Sequence, residues 1–138
     1  MYICPPSLHL SPDPQVCEAE SMQSSVWVAA AVLAEAMQRP CVAFPGGGAY
    51  WEGKQVLELG AGCGACGIVA ALCGASRVTL TDYAPLLPLL RRNAAANGVG
   101  GACEAVELEW GGALPSALDG VESLDVILGS DITAFIQS

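Results

Sequence analysis

Short apolar runs alternating with helical stretches predict an α/β domain on an open parallel sheet, and three observations carry that prediction. The run Val56-Leu57-Glu58-Leu59 leads straight into Gly60-Ala61-Gly62-Cys63-Gly64, and Gly67-Ile68-Val69-Ala70-Ala71-Leu72 then reads as a helix. Strand, glycine-rich turn and helix form the nucleotide-binding half of a βαβ unit. A second run, Arg77-Val78-Thr79-Leu80-Thr81-Asp82, ends on an acid about 20 residues beyond Gly62, where a ribose-binding carboxylate belongs. Finally, Val106, Leu108 and Trp110 alternate with Glu107 and Glu109, whereas the other strand candidates are denser apolar runs. Alternation marks a strand with one face in water, so the third strand belongs at a sheet edge, as the order 3-2-1-4 requires.

The first strand and its turn are the most informative stretch. Glycines allow a tight turn and let a ligand lie against bare backbone N–H groups at a helix start. Gly62-Cys63-Gly64-Ala65-Cys66-Gly67 satisfies a dinucleotide pattern. Glu58 is the anomaly, because a parallel strand buried on both faces is nearly all apolar.

Elsewhere the elements follow in order. Pro5, Pro6, Pro12 and Pro14 exclude regular helix, so residues 1–23 form an N-terminal arm. Ser24 or Ser25 caps a helix from Val26 to about Arg39, within a segment spanning 24–40. Val26, Ala29, Ala30, Leu33 and Met37 share one face of that helix, and Pro40 stops it. Pro45-Gly46-Gly47-Gly48 reads as a flexible loop, and residues 54–131 form the βα core. Gly74 closes the second helix. Asp82 either receives ribose hydroxyls or caps the helix after it, which begins near Pro85, runs to about Asn97 and closes on Gly98, with Arg91 and Arg92 on its solvated side. The third strand is Glu104 to Trp110. The fourth is Leu124 to Asp131, placing Asp131 beside the loop of the first.

Composition bounds the function. A chain of 138 residues, 53% of them hydrophobic, makes a single domain with a real core. A net charge of −9 excludes nucleic-acid binding through phosphates and suits a basic protein partner. Seven scattered cysteines without a secretory leader imply free thiols in a reducing compartment, cytoplasmic or nuclear. Cys63 and Cys66 form a C-x-x-C pair, but no second pair accompanies them and His9 is far upstream, so no metal site is expected. Val26 to Met37 is too short to cross a membrane and carries Glu35.

Leu57-Glu58-Leu59-Gly60-Ala61-Gly62-Cys63-Gly64 resembles the first motif of S-adenosylmethionine-dependent methyltransferases. With Val26-Trp27, Thr81-Asp82-Tyr83, Leu108-Glu109-Trp110-Gly111 and Gly129-Ser130-Asp131, the stretch from about Val26 to Asp131 resembles the lysine methyltransferase-like family of seven-β-strand protein methyltransferases. The resemblance implies a Rossmann-like methyltransferase sheet and S-adenosylmethionine as cofactor. It implies cofactor contacts from Trp27, Glu58, Gly60, Ala61, Gly62, Gly64, Asp82, Tyr83, Trp110 and Ser130, with Glu58 orienting the loop and helping to hold the methionine end, and Trp110 near the adenine. It also implies a lysine-bearing protein substrate, with Asp131 as the catalytic residue that positions the amine or takes its proton.

Two departures stand against the resemblance. The family's D-x-x-Y-like string reads Asp131-Ile132-Thr133-Ala134 here, and the sequence stops at Ser138 before the last three strands of the family fold. The expectation is therefore an incomplete domain whose fourth strand has an open edge, monomeric or weakly paired through that edge. A non-catalytic relative that binds S-adenosylmethionine or a protein partner is the alternative reading. An NAD-dependent oxidoreductase rests on the glycine pattern alone.

Overall fold

The computed structural model describes residues 28–119 and 123–132. The proline-rich arm, Ser24, Ser25, Trp27, Thr133 and Ala134 lie outside them. Helix α1 (Val28–Met37) is followed by a 3-10 turn at Gly47–Trp51, then β1 (Gln55–Leu59), α2 (Ala65–Leu72) and β2 (Arg77–Asp82). A second 3-10 turn (Ala84–Leu86) runs into α3 (Leu87–Ala96), followed by β3 (Cys103–Glu107), a turn at Ser116–Leu118 and β4 (Val126–Gly129). The four strands form one parallel sheet in the order β3-β2-β1-β4, as the sequence predicts.

Period-2 alternation decides what each strand residue meets. Val56, Val78, Leu80 and Leu128 face the helices, where they pack with Met37, Ile68 and Leu90. Leu57 faces the other way, into a small cluster with Val106 and Leu118. Glu58 follows Leu57 in this alternation, so it points toward α2, into the core.

Several expected boundaries shift, each for a structural reason. The third strand ends at Glu107, three residues short of Trp110, because its neighbour β2 ends at Asp82, the register partner of Glu107. Leu108 adds one bond to the Asp82 carbonyl (3.1 Å), and the chain then turns, with Gly112 N–H bonded to the Glu109 carbonyl. Trp110 consequently stands 43% exposed and does not pack as a strand residue. The fourth strand is Val126–Gly129, shorter than Leu124–Asp131. Asp125 instead ties the strand's start to Gln55, which donates its N–H to Asp125 Oδ2 (2.8 Å). Gly129 pairs with Leu59, the last residue of β1, so Ser130 and Asp131 lie beyond the ladder. The second helix begins at Ala65 rather than Gly67.

The expected flexible glycine loop is a fixed turn. Gly47 is buried, and the 3-10 turn it opens delivers Trp51 into the core. The Trp51 indole N–H donates to the Met37 carbonyl (2.9 Å), tying the end of α1 to the approach of β1. Phe44 and Tyr50 stack around Trp51 at centroid distances of 5.0 and 5.1 Å. Gly74 and Gly98 close their helices as expected, each with positive φ. Among the described residues no helix is long and apolar enough to cross a membrane.

Candidate functional site

The C-terminal end of β1 is where a parallel sheet of this order presents its ligand crevice, because strand succession reverses between β1 and β4. Leu59 passes into Gly60, Gly62 and Gly64, with φ of 59°, 58° and 80°. The protein itself holds this loop at several points. Ala61 N–H donates to the Thr81 carbonyl (2.9 Å) and Gly64 N–H to the Ala61 carbonyl (2.7 Å). Gly62 N–H donates to Asp82 Oδ2 (2.7 Å), and the Asn93 side-chain amide donates to the Cys63 carbonyl (2.9 Å).

Glu58 lies beneath the loop rather than on its open face. Its side chain is 2% exposed, and Oε2 accepts from Gly67 N–H at 2.8 Å. Thr81 Oγ1 donates to the Glu58 carbonyl (2.7 Å), fixing the same residue from β2. A free helix start has four N–H groups without intrahelical partners, and the Glu58 carboxyl satisfies one of them in the first turn of α2. Burial pushes its pKa from 4.5 to about 7, against the lowering effect of the Gly67 and Cys66 N–H groups and with a smaller raising contribution from Asp82. Gly67 makes the approach possible. A Cβ there would meet Leu80, would stand 2.7 Å from Glu58 Oε2 and would stand 3.0 Å from Val78. This glycine is required by close packing of helix on sheet, the role of the third glycine in such motifs.

Asp82 stands at the rim, half-buried. While Oδ2 holds Gly62, Oδ1 accepts from Tyr83 N–H (2.8 Å). It does not cap α3, so the capping alternative is set aside. An ionised carboxylate offers about four lone-pair positions, so both oxygens keep acceptor capacity toward the crevice. Tyr83 is 47% exposed next to it. Trp110 comes from the end of β3 to the loop: its Cζ2 lies 3.4 Å from where a Gly60 Cβ would stand. Ser130 is half-buried, and its side chain lowers the pKa of the Cys66 thiol against the larger effect of burial; Asp131 is exposed beyond the end of β4.

Cys63 and Cys66 are both buried and free. Burial, then the nearby Glu58, pushes the Cys63 thiol to about 11 and the Cys66 thiol to about 12. Reactive pairs have lowered pKa values, and both thiols here are shifted the other way.

Sequence reasoning missed Asn93, Thr81 and Ile132. Asn93 is 1% exposed and carries the loop's Cys63 carbonyl. It lies three residues after Leu90 and one before Ala94, both buried, and that helical phase was the available signal.

An open parallel sheet with a glycine loop after its first strand, a buried acid on that strand and a second acid at the tip of the next defines a domain of the Rossmann-like class. The fold is similar to that of a *Trypanosoma brucei* PRMT1 enzyme-prozyme complex with AdoHcy, at TM-score 0.51 and 23% identity over 69% of this chain and 28% of that one. Residues 13–138 match the lysine methyltransferase family model, and the chain belongs to that family. It is 44% identical to the protein N-lysine methyltransferase METTL21A of *Danio rerio* and 40% identical to that of *Mus musculus*, in each case over 78% of this chain and 46% of the relative. The chain thus spans about half the length of these curated relatives.

Proposed function

We propose that the chain carries the cofactor site of an S-adenosylmethionine-dependent methyltransferase acting on a lysine of a protein substrate. The observation that carries this reading is the loop Gly60–Gly64, held at its rim by Asp82, with the buried Glu58 carboxyl tying down the first turn of the helix it leads into and the Trp110 indole standing on Gly60. The residues fit such a cofactor. Asp82 has acceptor capacity for the two ribose hydroxyls, and the partly exposed indole and the Tyr83 ring offer apolar faces to a flat base. Gly60 and Gly62 are the half-buried glycines of the loop, and Ser130 follows the β4 residue that pairs with Leu59. Gly64, expected by resemblance to touch the cofactor, faces the core instead: a Cβ there would meet Leu90, Ile68 and Leu80. Trp27 joins this set by resemblance.

S-adenosylmethionine supplies a methyl group already activated on a sulfonium. The protein's part is then alignment and control of one proton. Holding an amine in line at near-attack distance replaces an unfavourable encounter. A lysine amine has an ordinary pKa of about 10.4 and must be neutral to attack. Asp131, at the end of β4 beside the loop, is the group we assign to orient that amine or accept its proton. The net charge of −9 suits a lysine-bearing, basic protein surface.

The test has two arms. Calorimetric titration of the chain with S-adenosylhomocysteine and with NAD is expected to give binding to the first only; the reverse sinks the assignment. Labelled-methyl transfer to proteins in a cell extract is expected from the wild type and not from Asp131→Asn. Undiminished transfer by the variant removes Asp131 from the mechanism.

A further inference from the structure

Asp131 is held at φ 54°, the left-handed region, and is the one non-glycine residue there among the described residues. Aspartate tolerates this conformation better than most residues, but not freely. The consequence is visible in the next residue. The turn folds the chain back over the end of β4 and lays Ile132 against two glycines. A Cβ on Gly129 would stand 2.9 Å from Ile132 Cδ1 and 3.5 Å from its Cγ2. A Cβ on Gly60 would stand 3.4 Å from Ile132 Cγ2 and 3.4 Å from Trp110 Cζ2.

Two side chains from opposite edges of the sheet therefore converge above the end of β1. Trp110 arrives from β3 and Ile132 from β4, and bare backbone at Gly60 is the floor beneath both. Ile132 is half-buried although it lies at the tip of a turn. Its β-branch restricts χ1, so it makes a stiff backstop. Trp110 has no comparable confinement on its open side, being 43% exposed.

We infer that Ile132 is a positioning residue for the cofactor: it backs the Trp110 indole against Gly60 and fixes the surface on which the nucleoside rests. The inference rests on the reading that this crevice takes S-adenosylmethionine. Trp110 meets the ligand; Ile132 acts through Trp110. Without the backstop the indole samples other rotamers, and apparent affinity falls in proportion to the time it spends out of place.

The experiment follows tryptophan emission of the full chain during titration with S-adenosylhomocysteine. The chain has three tryptophans, Trp27, Trp51 and Trp110, so Trp110→Phe identifies the Trp110 signal. Ile132→Ala is expected to shift Trp110 emission to the red before ligand is added and to weaken binding by about 5–10-fold, the loss that follows when the indole is in place a tenth to a fifth of the time. Ile132→Val keeps the methyl that touches Gly60 and is expected to bind within about twofold of the wild type on the same arithmetic. Gly129→Ala pushes the Ile132 Cδ1 from its seat without altering that side chain and is expected to move emission and affinity the same way as Ile132→Ala. Native affinity in Ile132→Ala, whatever happens to its melting temperature, overturns the inference. A wild type that binds no S-adenosylhomocysteine is a different result: it overturns the function proposed above, and this inference with it.

Discussion

Glu58 makes the fold's stability depend on pH in a direction opposite to that of most carboxylates. Its pKa rises from 4.5 in the unfolded chain to about 7 in the folded one, because burial penalises the charged form more than the Gly67 and Cys66 N–H groups favour it. Below about pH 4.5 the group is protonated in both states and its contribution is fully present. Between about 4.5 and 7 the folded state keeps a proton that the unfolded chain has released, so stability falls as pH rises. Above about 7 the loss is complete. At 1.36 kcal/mol per tenfold change in proton affinity, the difference is on the order of 3 kcal/mol. For a chain of this size that corresponds to roughly 10 °C in melting temperature. Glu58→Gln is nearly isosteric, its amide oxygen can still accept from Gly67 N–H, and it does not titrate. The assay is a thermal melt of wild type and variant in buffers from pH 5 to pH 8. All other groups titrate in both proteins, so the gap between the two curves isolates residue 58. The gap is expected to move in the variant's favour by several degrees across that range. Curves that run parallel refute the account, since Glu58 would then carry the same charge folded and unfolded.

Gly67→Ala drives a methyl into Leu80, Val78 and the Glu58 carboxyl; overpacking of this kind costs about 1–3 kcal/mol, and a melt is expected to fall by several degrees while Gly101→Ala, which meets nothing, does not. Asp82→Asn has one acceptor oxygen for two N–H groups, those of Gly62 and Tyr83. Hydrogen bonds to charged groups contribute about 1.5–3 kcal/mol, so S-adenosylhomocysteine binding measured by calorimetry is expected to weaken by at least about tenfold; unchanged affinity would remove Asp82 from the site. S-adenosylmethionine carries a sulfonium charge that S-adenosylhomocysteine lacks, and a cation above Glu58 favours its ionised form. The affinity ratio between the two is therefore expected to rise from pH 6 to pH 8 in wild type and to stay flat in Glu58→Gln.

The legible parts of the fold were those whose burial is one-dimensional. Strand β2 runs from Arg77 to Asp82 in both sequence and structure, because its four central residues, Val78, Thr79, Leu80 and Thr81, are all buried and leave an uncharged, largely β-branched run between two charged ends. The edge position of β3 was legible from alternation, but its end was not, since the neighbouring strand sets where pairing stops. Trp51 left no trace in any period: its burial depends on a 3-10 turn and on the Met37 carbonyl, 14 residues earlier. Glu58 was visible as a residue out of place for packing. Which side of the sheet it faced was not, because the side covered by α2 is a property of the crossover and not of the strand. Ile132 was hidden for a similar reason, since its position follows from the left-handed turn at Asp131.

That placement of Glu58 also separates the two cofactor classes that the glycine spacing leaves open. A dinucleotide of the nicotinamide type sets its pyrophosphate on the N–H groups of the loop and of the first turn of the helix. Here Gly67 N–H is already taken by the Glu58 carboxyl and Gly62 N–H by the Asp82 carboxylate. A pyrophosphate would have to compete with two carboxyl groups for the same donors and would meet the negative charge of Asp82 at close range. A sulfonium nucleoside has no phosphate to place there, and both acids favour its positive charge. On this reasoning NAD is expected to show no calorimetric binding to the wild type, and Glu58→Gln is not expected to create any, because the Asp82–Gly62 bond remains. Measurable NAD binding by either protein would mean that those N–H groups are released in solution, and the argument from their occupancy would fail.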